Sequence, residues 1–335
     1  MPLVFSVGKF AGQTPLFVED WYLAALLGDV TNDGLRWSAL TSGEKSEVIA
    51  EIRGRVAGQR IGESGIGKKY YIDTVSGDDD NNGQHPSNAF LTGAAALAVL
   101  ASHDTVFVSG KLREQLIAPL GVRGVAIIGN DTRPRHDNAA SWIIPADPTA
   151  GKALIEVLEE GWVFANLLFQ SHETNGACVR ISRAEDAVHP DGGKTMFLNC
   201  RFDAGDEGIE DNGGSFNVLV DGCIFRGVGG TAIKSISTGV ALPLHWEIRN
   251  CRFHDCTNCI VMPFSKAYVH HNIFQGTITT TYNGTGGLAS NFIVDNTFDI
   301  NAGDFDPAGG VTGLSGDVWS NRLKDTLNEH GLPAN

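Results

Sequence analysis

Positive charge is scarce in this chain. Its 335 residues include 25 Lys and Arg against 39 Asp and Glu, for a net charge of −14. Gripping nucleic acid requires a basic footprint for the phosphates, so this balance argues against a nucleic-acid partner. It argues equally against docking on an anionic membrane. Long apolar runs are missing as well: no stretch approaches the roughly 18 residues of a spanning helix. Residues 1–15, MPLVFSVGKFAGQTP, lack the charged start and long apolar stretch of a secretory signal, so no export is expected. Cysteine is limited to six residues, five of them between Cys200 and Cys259, with three at one recurring place. That is a poor disulfide framework, and the cysteines are read as buried thiols. No GxSxG, Walker or dinucleotide fingerprint occurs, so no nucleotide cofactor is expected.

What the sequence does contain is repetition. MFLNCRF (196–202), VLVDGCIF (218–225) and WEIRNCRF (246–253) are one phrase written three times. Anchored on its last residue, the phrase recurs at Phe169, Phe202, Phe225, Phe253, Phe274 and Phe298, with Leu323 as a seventh copy. The spacing runs from 21 residues (Phe253 to Phe274) to 33 (Phe169 to Phe202). Periods in this range mark a solenoid. Five positions before the anchor stand Phe164, Phe197, Val220, Ile248, Val269, Ile293 and Val318, all apolar. Three before it stand Asn166, Asn199, Gly222, Asn250, His271, Asp295 and Ser320, mostly types that tolerate a positive φ. Two before it, Leu167, Cys200, Cys223 and Cys251 give way to Asn272, Asn296 and Asn321. The residue after the anchor is always polar.

The pattern predicts a strand ending on an inward apolar side chain, a left-handed bend, and a short second strand. That second strand turns its Cys or Asn and its Phe inward. Successive copies then stack about 4.8 Å apart, like residue on like residue. Stacked Asn side chains would satisfy one another along the axis.

This pattern resembles the right-handed parallel β-helix of the pectin lyase-like superfamily. Residues 70–116 are similar to the usual opening of such helices: a strand, a polar Gly/Asp loop, a short helix (here Ala94–Leu100), and the strand DTVFVSG. The resemblance implies an all-β solenoid over residues 67–335, ending in a short cap. Residues 1–66 stand outside the repeat. They contain two short helical patterns, the second opened by Thr41 and Glu44 spaced as a capping box, and are expected to form a small, mainly helical head.

The scaffold fixes no single activity, since lyases, hydrolases, epimerases and phage spikes share it. Outward positions on the strands CVRIS, GIED, TAIKS and NCIVM are Arg180, Glu210, Lys234 and Val261. In enzymes of this resemblance that face is the substrate cleft, so Arg180, Glu210 and Lys234 are candidate binding residues for an acidic sugar. Glu210 and Lys234, with Asp206 and Glu207 in the turn before, are the candidate catalytic residues. Hydrolysis of a glycoside needs two carboxylates, and a lyase needs a base, commonly with calcium. The Asn-Thr-Asp, Gly-His-Gly and Arg-x-Pro-x-x-Arg motifs of pectate lyases and polygalacturonases are absent.

Asp78, Asp80 and Asn82 before Gly83 match the first half of a calcium loop, but Ala89 stands where a bidentate Glu is needed. Calcium is therefore the one metal considered. His254, His270 and His271 are not expected to converge on zinc. Immediately before the anchors lie Leu168, Arg201, Ile224, Arg252, Ile273, Thr297 and Arg322, whose aliphatic members suggest a face for a sister chain and, by analogy with phage spikes, a homotrimer. Together these features point first to a phage-type virion surface protein, made in the host cytoplasm. It would be a spike or capsid decoration whose residues 1–66 dock on a capsid or tail protein and whose rod faces cell-surface polysaccharide. The alternative is a polysaccharide lyase or glycoside hydrolase acting on an acidic glycan.

Overall fold

A computed structural model describes residues 67–130, 140–171, 176–181, 192–203, 205–212, 215–235, 244–262, 266–283 and 292–300, together with the strand backbone at 311–312, 318–319 and 322–323. The expected head over 1–66, the C-terminal cap, and the outward sides of Ser320, Asn321 and Arg322 lie outside the described side chains.

The chain coils into three parallel sheets of ten, nine and eight strands. One coil runs through Val163–Ala165, Leu168–Gln170 and Ala177–Ile181; the next runs through Met196–Leu198, Arg201–Asp203 and Glu207–Asp211, each strand pairing with its counterpart. Parallel strands joined by crossovers turn right-handed almost without exception. The protein is a right-handed parallel β-helix.

The register is the one the repeats predict. Phe169, Phe202, Phe225, Phe253, Phe274, Phe298 and Leu323 are consecutive partners on the nine-stranded sheet. From Phe169 to Phe298 the rings stack with centroids 4.7–5.1 Å apart, nearly parallel. Each such pair contributes roughly 0.5–1.5 kcal/mol beyond area burial. The column also extends backward through Trp142 and Leu112, on two coils that carry no Phe at this place and so do not show the repeat. A second column, Phe164, Phe197, Val220, Ile248, Val269, Ile293 and Val318, runs down the ten-stranded sheet.

Between these sheets the chain bends at one left-handed residue per coil: Asn166, Asn199, Gly222, Asn250, His271 and Asp295 have φ between 51° and 67°. All six cysteines are free and buried. Cys200, Cys223 and Cys251 occupy the same place in successive coils, each thiol donating to a backbone carbonyl of the coil before it. Below them Asn272 donates to Asn296 Oδ1 at 3.0 Å, the predicted amide ladder.

The opening helix, α1, covers Gly93–Val99, one residue earlier than expected. Thr92 caps it by accepting from Ala95 N at 3.2 Å, and the Glu114 carboxylate accepts from Gly93 N and Ala94 N at 2.9 and 2.8 Å. Those donors fix the start of the helix at Gly93. No helix among the described residues is long and apolar enough to cross a membrane.

Candidate active site on the eight-stranded sheet

The strands Ile155–Val157, Ala177–Ile181, Glu207–Asp211, Thr231–Ser235 and Asn258–Val261 bring one outward residue each into line: Glu156, Arg180, Glu210, Lys234 and Val261. Val179, Ile209, Ile233 and Ile260 point the other way, into the core. Alternation along each strand thus sets the charged row. Glu207 joins the same face although it lies three residues before Glu210. Gly208 separates it from Ile209, and a side chain there would come within 2.5 Å of Ala232 O. The close approach requires glycine.

The charges of the row pair with one another. Arg180 donates from Nε to Glu210 Oε2 at 2.7 Å, from Nη1 to Glu156 Oε1 at 2.9 Å, and from Nη2 to Gly151 O at 2.9 Å. Lys234 Nζ donates to Glu207 Oε1 at 2.6 Å. The Arg180, Glu156 and Glu210 side chains are 15%, 10% and 8% exposed, whereas Lys234 keeps 30%. Charge-assisted bonds of this length are strong when water is excluded. Burial pushes the Glu207 carboxyl above its ordinary value, opposed by the Lys234 ammonium and aided by Asp206 and Glu210. Asp206 sits in the preceding turn, where its carbonyl accepts from Gly230 N and Thr231 N at 2.9 and 2.8 Å.

The structure therefore brings Arg180, Glu207, Glu210 and Lys234 together, with Asp206 beside them. Sequence reasoning missed Glu156. Its signal was one coil earlier, in the apolar run LIEV, where the repeat had no Phe anchor to set the register.

The acidic loop at 78–83 hydrogen-bonds to the backbone around it. Asp78 Oδ1 accepts from Asp80 N, and Asn82 Oδ1 from Gln84 N, both at 3.0 Å. Asp79, which the calcium pattern skips, accepts from Leu91 N, Thr92 N and Thr92 Oγ1 at 2.8–2.9 Å and so pins the start of α1. Among the described residues no three His, Cys, Asp or Glu side chains converge as a metal set. His270 and His271 share a contact, Nδ1 to Nδ1, at 2.7 Å.

The outward column proposed for a sister chain needs correcting at its top. Leu168 is buried at 5% exposure and Arg201 at 7%, so the exposed aliphatic surface is Ile224, with Ile273 half-buried. Position in a solenoid row does not reveal what lies over it, which is why the sequence misassigned Leu168.

Three solved structures share the coil architecture at low identity. A pectate lyase, Pel9A, aligns at TM-score 0.48 and 12% identity over 82% of both chains. A PL6 family alginate lyase, AlyGC, aligns at 0.47 and 12% over 77% of this chain. A rhamnogalacturonan lyase aligns at 0.43 and 13% over 69% of this chain and 68% of its own. This chain spans 40% of the alginate lyase's length. No family model and no curated protein matches the chain.

Proposed function

We propose that this protein is a rigid β-helix rod of a phage-type virion surface: a homotrimeric spike or capsid decoration that docks through residues 1–66. The observation that carries the reading is the closed charge row. Arg180 is bonded on three sides and Lys234 is bonded to Glu207, so the polar face holds neighbouring coils to one another. A continuous core of stacked rings beneath it adds stiffness. The test is particle composition. Antibody raised against the full chain should label purified particles from the producing host, and sedimentation should give a trimer. A monomer absent from every particle fraction overturns the reading.

A second reading rests on Glu207. A buried carboxyl with a raised pKa, beside a second carboxylate and an ammonium, is the arrangement of a general acid. Glu207 would protonate a glycosidic oxygen, Glu210 would act as the second carboxylate, and Lys234 would hold an acidic group of the glycan, as a lyase or hydrolase requires. Incubation with a panel of acidic polysaccharides separates the two chemistries. Hydrolysis yields saturated reducing ends, and elimination yields unsaturated uronides that absorb in the ultraviolet. Either product must vanish in Glu207→Gln, and a panel without product removes this reading.

A further inference from the structure

We propose that His270 and His271 form a two-imidazole chelating site for copper(II), at the bend where one strand of the ten-stranded sheet ends. The site lies on a different sheet from the charge row and rests on neither functional reading.

Consecutive residues of a strand point to opposite sides, so adjacent histidines do not ordinarily meet. Here the strand Lys266–His270 ends on the first of them, and His271 takes the left-handed bend with φ 56°. The bend cancels the alternation. Nδ1 of one ring comes to 2.7 Å from Nδ1 of the other, with the ring planes 80° apart. The ring of His270 is already set as a donor. His270 is 9% exposed, and its Nε2 faces Glu247 Oε1 at 3.1 Å. A carboxylate only accepts, so the ring proton sits on Nε2 and the Nδ1 lone pair turns toward His271. A carboxylate behind an imidazole is the usual support of a metal-bound histidine. Arg249 holds that carboxylate through Glu247 Oε1 at 2.7 Å, and is itself held by Asp221 Oδ2 at 3.0 Å. His271 is exposed, so its ring can carry its proton on Nε2 and offer Nδ1 as the second donor.

Distance selects the ion. Metal–nitrogen bonds of about 2.0–2.1 Å put two nitrogens about 2.9 Å apart at a right angle and about 3.3 Å apart in a tetrahedron. Starting from 2.7 Å, the right angle needs an opening of about 0.2 Å and the tetrahedron about 0.6 Å. The right angle belongs to tetragonal copper(II), with water in the remaining positions. Structural zinc wants four protein donors, and no third His, Cys, Asp or Glu converges here among the described residues. The nearby cations do not oppose the site. Arg249 is bonded to two carboxylates, and Lys266 begins the strand four residues before His270, about 13 Å along it. Asp295 occupies the same bend one coil further on.

The test uses the full chain, untagged and stripped with a chelator, titrated calorimetrically with copper(II) chloride and separately with zinc chloride. One equivalent of copper should bind about tenfold or more tightly than any further copper, and more tightly than zinc. Electron paramagnetic resonance of that equivalent should show a tetragonal ion with two imidazole nitrogens, a readout that needs no variant. His271→Asn places at the bend the residue that Asn199 and Asn250 supply in other coils, so the turn is kept and the tight equivalent should be lost. Glu247→Gln should weaken it about tenfold without removing it. His254→Asn, on the nine-stranded sheet, should change nothing. Thermal melting without copper checks the fold of each variant. No tight equivalent in the parent, a spectrum with a single nitrogen, tighter binding of zinc, or parental affinity in a folded His271→Asn overturns the proposal.

Discussion

Cys223 and Asn272 occupy the same place in the coil and perform the same task. The thiols of Cys200, Cys223 and Cys251 donate to the carbonyls of Phe164, Phe197 and Val220, one coil earlier, at 3.4–3.5 Å. The Asn272 and Asn296 amides donate to Ile248 and Val269, the next carbonyls of that series, at 2.9 and 3.0 Å. Asn adds an acceptor: Asn272 Oδ1 takes Cys251 N at 2.9 Å. The two residue types should therefore differ in cost when truncated. Asn272→Ala leaves a buried N–H and a buried carbonyl unpaired, at about 1–3 kcal/mol each. Cys223→Ala loses a weak donor and a small apolar volume, on the order of 1 kcal/mol. Denaturant midpoints of the two variants check the order. Burial also pushes the Cys178 thiol up to about 12 and holds Cys223 and Cys259 well above their ordinary value. Cys256 is shifted down by its hydrogen bond with the Cys259 thiol, but it is buried like the rest, so a small disulfide reagent at mildly alkaline pH should leave the native protein nearly unlabelled and titrate six thiols after unfolding. Rapid labelling of the native state would contradict the packed column.

At the scale of a strand, Glu207 couples the charge row to pH. Its folded-state pKa lies above its ordinary value of 4.5 because burial disfavours the charge. The folded state therefore holds the proton more tightly than the unfolded one. The corresponding stability is fully present below 4.5 and is lost as pH rises through the folded value. The parent should lose stability across that window relative to Glu207→Gln, which has no carboxyl to titrate there. Urea midpoints for both proteins at acidic and neutral pH read this difference, and parallel curves would contradict it. The strands themselves were legible in the sequence, because a two-residue alternation fixes which of Val179 and Arg180, or of Ile209 and Glu210, faces out. The pairing within the row was not, because alternation alone does not say which charges meet; the contacts of Arg180 with Glu156 and Glu210 do.

For the whole molecule, the repeat carried the fold because every coil places chemically similar residues in contact, so that packing at one coil constrains the next. Legibility ended where the column changed residue type. Trp142 and Leu112 continue the Phe column backward, yet nothing in their identity announces it. It ended again at Leu168, which stands outward in the repeat and yet is buried.

The central claim is stacking in register, and cysteine crosslinking on the solvent face tests it most directly. Ile224 and Arg252 are partners on neighbouring coils, both exposed, while Ile273 is one coil further on. Mild oxidation of the Ile224→Cys, Arg252→Cys double variant should form a disulfide readily, since adjacent strands lie about 4.8 Å apart. The Ile224→Cys, Ile273→Cys pair, two coils apart at about 10 Å, should remain reduced. Crosslinking of the second pair in preference to the first would contradict the coil.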